Sequence, residues 1–156
     1  DRCKKNSWFK LKKKPDILIL EGWCVGARAE GSRSLNKPIN VLEKNADKKK
    51  IWRSYVNNQL KSKYSKLFDQ LDSLLYLKAK NFKLLKRWRL KQEKKLKMKS
   101  GTKKNSKIMN EKEVETFMMT YQRITQNMFK NAPKYSSAVI DLNENHQIKK
   151  IKFKHA

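Results

Sequence analysis

Pro15-Asp16-Ile17-Leu18-Ile19-Leu20-Glu21-Gly22-Trp23 is the stretch from which the rest of the chain is read. Four consecutive aliphatic residues, two of them β-branched, stand between a Pro-Asp pair and a glycine. The run is too short for a helix and does not alternate, so it reads as a strand over 16–21 buried on both faces. Such a strand belongs to a parallel sheet with helices on both sides, which makes the fold class α/β. In open sheets of this kind ligands bind beyond the carboxyl ends of the strands. Glu21 is therefore expected where chemistry takes place, and Gly22 lets the backbone turn sharply away from it.

The 156 residues are enough for one domain with a core. The chain opens on Asp1, and it reads as a piece of a longer protein. No apolar run approaches the roughly 18 residues of a spanning helix, so no membrane segment and a cytoplasmic location are expected. Cys3 and Cys24 lack a paired spacing and lie far in sequence from His146 and His155. Free thiols in a reducing compartment are expected, and a zinc site is not. The net charge of +26 points toward nucleic acid or another anionic partner. The basic residues, however, are 33 lysines and only seven arginines, spread over every segment. Readers of bases and phosphates favour the arginine fork, so compositional drift toward lysine explains the charge equally well.

Beyond the strand, residues 24–46 form an irregular connection in which Arg28 is the natural anion contact; a solvated loop residue is the alternative. Ile51, Trp52, Tyr55, Val56, Leu60, Tyr64, Leu67, Phe68 and Leu71 recur at three- and four-residue steps. They predict a helix over about 47–71 with one apolar face and Asp47 as its cap. Residues 73–78 read as a second buried strand, joined to the first by a right-handed crossover. A basic helix follows over 81–99, capped by Asn81. After it come a linker over 100–108 and a helix over 110–131, with acids in its first turn and Pro133 as its stop. A strand and hairpin over 137–154 end the chain, with lysines on an exposed edge.

An acid at a strand end with a basic helix downstream suits phosphoryl transfer, which is mostly positioning and charge neutralisation. Glu21 is the candidate magnesium ligand, holding the metal through water; a strand-end acid that caps a neighbouring helix or faces solvent is the alternative. Arg87 and Arg89 precede the linker as lid residues would, unless they simply pair with acids such as Glu93 on a solvated face. Arg123 in Tyr121-Gln122-Arg123-Ile124-Thr125 is either a ligand contact or a structural ion pair.

Several segments, taken in order, carry a family resemblance. They are Asp1-Arg2, Asp16 to Gly26, Asn40-Val41-Leu42-Glu43, Trp52 to Asn57, Trp88-Arg89-Leu90-Lys91-Gln92-Glu93 and Tyr121 to Thr125. Together they resemble the C-terminal half of the D-glycerate 3-kinase family of P-loop kinases, related to uridine kinase and pantothenate kinase. The resemblance implies a partial P-loop kinase fold, a parallel sheet flanked by helices with a C-terminal β-hairpin, and residues 1–156 as the C-terminal part of a single kinase domain. It implies ATP and Mg²⁺ as cofactors and phosphorylation of D-glycerate to 3-phosphoglycerate, a step of photorespiratory glycerate recovery. Glu21, Arg87 and Arg89 then take catalytic roles. Asn143, Asn145 and His146 lie near the nucleotide, and Arg2, Trp23, Arg28 and Arg123 lie on the acceptor side. The Gly-x-x-x-x-Gly-Lys-Ser/Thr loop does not occur in these residues, so the phosphate cradle is expected upstream. The competing expectation is a basic nucleic-acid-binding module centred on the helix around Arg87.

Overall fold

A computed structural model describes residues 4–100 and 108–154. Arg2, Cys3, His155 and the 101–107 part of the expected linker lie outside the described residues. The architecture is α/β: a three-stranded mixed sheet with helices packed against one of its faces. The elements are α1 (Val41–Ala46), α2 (Ile51–Gln59), a π-helical turn (Leu60–Tyr64) running into α3 (Ser65–Phe68), β1 (Leu75–Lys78), α4 (Phe82–Ser100), α5 (Glu111–Tyr135), β2 (Ala138–Leu142) and β3 (Ile148–Phe153). Two short 3₁₀ turns, Lys5–Ser7 and Ser32–Asn36, precede α1. Strand β1 pairs parallel with β2, and β2 pairs antiparallel with β3 through the expected hairpin.

Local chemistry explains most of the helix starts. The Asn40 side chain accepts from the Glu43 amide and begins α1. Asp47 lies before α2 and accepts from the Trp52 and Arg53 amides, which carries out the expected capping from four residues upstream of the first helical residue. Asn81 accepts from Leu84 at the head of α4. Asn110 and Glu113 form a reciprocal capping box at the head of α5.

Four expectations need correction. Residues 16–21 are not a buried strand: Ile17, Leu18 and Ile19 are 80%, 84% and 83% exposed. A strand exists only through a neighbour's ladder, and no described segment pairs with this one. The parallel crossover accordingly runs from β1 through α4 and α5 to β2, not from residues 16–21 to β1. The helix expected over 47–71 buries only part of its apolar stripe, Leu60 with Val56 half-buried beside it, while Ile51, Trp52 and Tyr55 are exposed and the polar Arg53 and Asn57 are buried. The buried Arg53, Asn57 and Leu60 are themselves spaced four and three apart. Arg53 and Asn57 face a loop whose carbonyl groups demand hydrogen-bond donors, and Leu60 enters the apolar core. Finally, α5 continues through Pro133 to Tyr135, so the proline does not stop it. Near a helix C-terminus a proline removes only one of the last backbone bonds, and the chain leaves the helix two residues later.

The core lies where α5 crosses the turn at Cys24–Ala27 and the end of α2. Ala27, Leu60, Met128 and Ala132 form its centre, with Val56, Tyr76, Ile124 and Tyr135 packed around them. Gly26 is required in that turn. Its φ is +76°, and a Cβ there would stand 2.7 Å from a Leu74 methyl. The other sheet face is largely uncovered, although Ala138 on its central strand is buried. Leu75 and Leu77 of β1 align with Ala138 and Ile140 of β2, and these align with Phe153 and Ile151 of β3. Residues in register point to one side of a sheet, and Leu75, Leu77, Ile151 and Phe153 are exposed there. The second strand is thus half covered, not buried as expected.

Candidate functional site

Helix α4 and the β2–β3 hairpin meet over a polar cavity of about 630 Å³. Trp23, Trp88, Arg89, Lys91, Asn145 and His146 are among its walls. Three separated segments contribute: the turn after residue 22, the middle of α4 and the hairpin tip. The hairpin holds its shape because Asn143 accepts from the Asn145 and Gln147 amides, while His146 takes a left-handed φ of +64°. Helix α4 is tied to this tip. Trp88 donates its indole N–H to the Glu144 carbonyl at 2.9 Å, and Arg87 pairs with the Glu144 carboxylate at 2.9 Å. The Trp88 and His146 rings stack with centroids 4.1 Å apart. On the opposite wall Trp23 packs against Tyr121 and Phe117 of α5.

Arg89 is held inside this wall. It donates to Gln92 and Glu93, and its guanidinium lies over the Phe117 ring. Its Nε is buried without a partner among the described residues. Glu93 is 4% exposed, and its second oxygen accepts from the Met109 amide, so this ion pair also fixes the approach to α5. Lys91 and Lys95 add two further cations to the cavity, one helical turn apart. Flat rings beside a cluster of cations make a receptor for an aromatic ring carrying anionic groups.

A second cavity, about 220 Å³ and mostly apolar, lies between α1, α2 and α5. An ionic clamp forms its floor. Arg123 donates from Nε and Nη2 to Glu43, from Nη1 to Glu30 and the Ser34 carbonyl, and from Nη2 to the Lys37 carbonyl. Burial alone would raise the Glu43 carboxyl, but the Arg123 hydrogen bond, the Ile39 amide and the nearby guanidinium charges hold it below the ordinary range. Asp47 is lowered too: against a raising effect of burial stand the Trp52 and Arg53 amides and the Arg53 charge.

The expected site residues therefore separate. Trp23, Arg89, Asn145 and His146 share the polar cavity. Arg28 and Arg123 line the apolar one. All five Arg123 N–H groups are spent inside the protein, which favours its structural alternative over ligand contact. Arg28 lies over the Tyr135 ring at 3.9 Å. Arg87 pairs with Glu144 outside the cavity walls, and Asn143 supports the hairpin. Glu21 is exposed, two residues before Trp23, in an unpaired segment and not at a sheet-strand tip. Sequence reasoning gave no site role to Trp88, Lys91, Lys95, Glu43 or Arg53, although all but Lys95 stand in the motifs that carry the resemblance. The signal for Trp88 was an aromatic ring set among cations on a helix.

As to cofactors, no group of three or more carboxylate, histidine or cysteine side chains is placed to hold a metal among the described residues. Magnesium needs no such cage. It keeps several waters and takes one or two carboxylates plus substrate phosphates. Glu21, exposed and without a partner among the described residues, fits that minimal role. The ring stack and the three cations of the polar cavity fit a nucleotide. No helix among the described residues is long and apolar enough to cross a membrane.

No family model matches the chain. In sequence it is 32% identical over 123 residues to an uncharacterized kinase, mug58, of Schizosaccharomyces pombe, covering 78% of this chain and 41% of that protein. In structure it superimposes on a D-glycerate 3-kinase from Cryptococcus neoformans var. grubii with a TM-score of 0.72 and 19% identity, over 92% of this chain and 51% of that one. The chain spans about half the length, or less, of both relatives. The resemblance read from its motifs thus holds at the level of architecture: this chain has the α/β fold of part of a D-glycerate 3-kinase structure and is similar in sequence to a fission-yeast kinase.

Proposed function

We propose that this chain supplies the lid and acceptor-side elements of an ATP-dependent small-molecule kinase, and that its substrate is D-glycerate. The observation that carries this reading is the convergence of Trp23, Arg89, Asn145 and His146 around the Trp88 ring, from three separate segments, in one cation-lined cavity. The Trp88–His146 stack offers a platform to the base, and Arg89, Lys91 and Lys95 offer charge to the phosphates. Arg89 reaches a phosphate by exchanging Glu93 for it, a swap between two anionic acceptors. Glu21 would hold Mg²⁺ through water. In the reaction the acceptor oxygen forms a bond to the γ-phosphorus as the bond to the bridging oxygen of ADP breaks, and the hydroxyl proton passes to a base outside these residues. The phosphate loop also comes from outside them, so the 156 residues alone should bind ATP weakly and not turn over.

The test joins this chain to the polypeptide that carries the phosphate loop and measures ATP-dependent phosphorylation of D-glycerate. Trp88→Ala should raise KM for ATP by about 5- to 100-fold, the effect of losing one stacked base contact, with D-glycerate KM little changed. Glu21→Gln should remove most turnover while leaving the fold intact. A folded, phosphate-loop-bearing protein inactive on every small hydroxy acid overturns the kinase reading. Nucleic-acid binding that persists at physiological salt would favour the basic-module alternative instead.

A further inference from the structure

We infer that the apolar cavity between α1, α2 and α5 is a second small-molecule site, and that it takes a carboxylate with an apolar body. Its walls include Leu42, Trp52, Val56, Met119 and Ile124. An apolar cavity of about 150 Å³ accepts a benzene ring. The 220 Å³ here leaves room for a ring or short aliphatic chain plus one small polar group.

Arg53 supplies the specificity. It lines the cavity and is only 5% exposed. Its Nε donates to the Leu35 carbonyl at 2.8 Å, and its Nη1 donates to the Asp47 carbonyl and carboxylate at 2.6 and 3.0 Å. Its Nη2 makes no hydrogen bond to any described residue. Arg53 lines that largely apolar space, and for its two N–H groups without a partner among the described residues a carboxylate is the strongest acceptor. Arg28 also contributes to the cavity wall, but its guanidinium lies over the ring of Tyr135, which is not part of that wall. The acids around the site are already engaged: Glu30 and Glu43 accept from Arg123, and Asp47 accepts from Arg53. An incoming carboxylate therefore meets the Arg53 Nη2 and no competing free acid. None of Glu21, Trp23 and Arg89 lines this cavity, whereas Arg28 and Arg123, expected on the acceptor side, do, so the D-glycerate probe below separates a second site from an acceptor pocket.

The test uses the whole chain, methyl NMR spectra and three probes: benzoate, benzyl alcohol and D-glycerate. Benzoate should shift the methyl signals of Val56, Met119 and Ile124 and bind on the order of tenfold more tightly than benzyl alcohol, the value of a charge-assisted contact. Arg53→Met should abolish that preference. Because Arg53 also holds the surrounding loop, Val56→Phe serves as the second variant: it fills the cavity, keeps every Arg53 bond and should eliminate benzoate binding in a folded protein. Equal affinity for benzoate and benzyl alcohol, or no shift at these methyls at millimolar benzoate, overturns the proposal. D-glycerate shifting the same methyls as tightly as benzoate would make this the acceptor pocket and overturn the claim of a second site. Trp88→Ala should leave all of these shifts unchanged, so this outcome is independent of the kinase reading.

Discussion

Arg123 and Glu43 show how much one side chain can organise. A single guanidinium reaches a helix, two loop carbonyls and a second carboxylate, and so fastens residues 30–43 onto α5. Removing one partner of such a buried pair leaves the other charge uncompensated. Glu43→Gln should therefore lower stability by roughly 3 kcal/mol, read from urea unfolding. The pH dependence has a definite sign. The folded Glu43 and Asp47 carboxyls titrate below their ordinary values, so their stabilisation is fully present above that range and is lost as pH falls through the folded values. Tm should be flat from neutrality down to about the ordinary glutamate value of 4.5 and drop below it, with a shallower fall in Glu43→Gln. Cys24 behaves in the opposite sense. Burial pushes its thiol up to about 11 despite a hydrogen bond with Thr125. Iodoacetamide at pH 8 should label it far more slowly than an unfolded control, and a comparable rate would show that the thiol is open.

Among the elements, α5 is the spine. It carries the capping box at one end, the clamp in its middle and the core residues Met128 and Ala132 toward the other. Asn110→Ala should cost about 1 kcal/mol through the lost cap, measured by thermal unfolding, and should leave the Arg123 clamp unchanged. Helix α4 is built differently. Among its described side chains only Leu84 and Glu93 are strongly buried, and it is fastened by polar contacts to the hairpin, to α5 and to residue 109. Elements held by few apolar contacts open at lower free energy than the core. That property suits the lid role proposed for α4. Its basic surface and Asn81 cap were legible in the sequence. The inward ion pair of Arg89 with Glu93 was also legible as a four-residue spacing, but not its burial.

For the whole molecule, the dominant feature is uncovered apolar surface. Ile17 to Ile19 and the Leu75, Leu77, Ile151 and Phe153 face are exposed together with a free edge on β1. Parallel strands are ordinarily covered on both faces, and apolar patches of this kind drive association. Leu77→Lys should reduce self-association and dye binding by the isolated chain, measured by light scattering and ANS fluorescence, without lowering Tm. A matching loss of Tm would mean that Leu77 packs inside the fold. The charge of +26 opposes self-association by repulsion and speaks to solubility, not to architecture.

The sequence by itself determined the class and most of the parts. Helical periodicity, caps at Asn81 and Asn110, short β-rich runs near 75 and 138 and an Asn-rich hairpin tip are local properties, written within a few residues of where they act. The kinase-like motifs were legible in the same way, as words in order. Tertiary structure alone decided which of them meet. It gathered Trp23, Arg89, Asn145 and His146 around one cavity, sent Arg28 and Arg123 to another, and left Glu21 on an unpaired segment. It also turned the polar Arg53–Asn57 side of α2 inward against the apolar pattern. The physical reason is common to these cases: burial, pairing and charge neutralisation depend on partners tens of residues away, and no local pattern records which partner arrives.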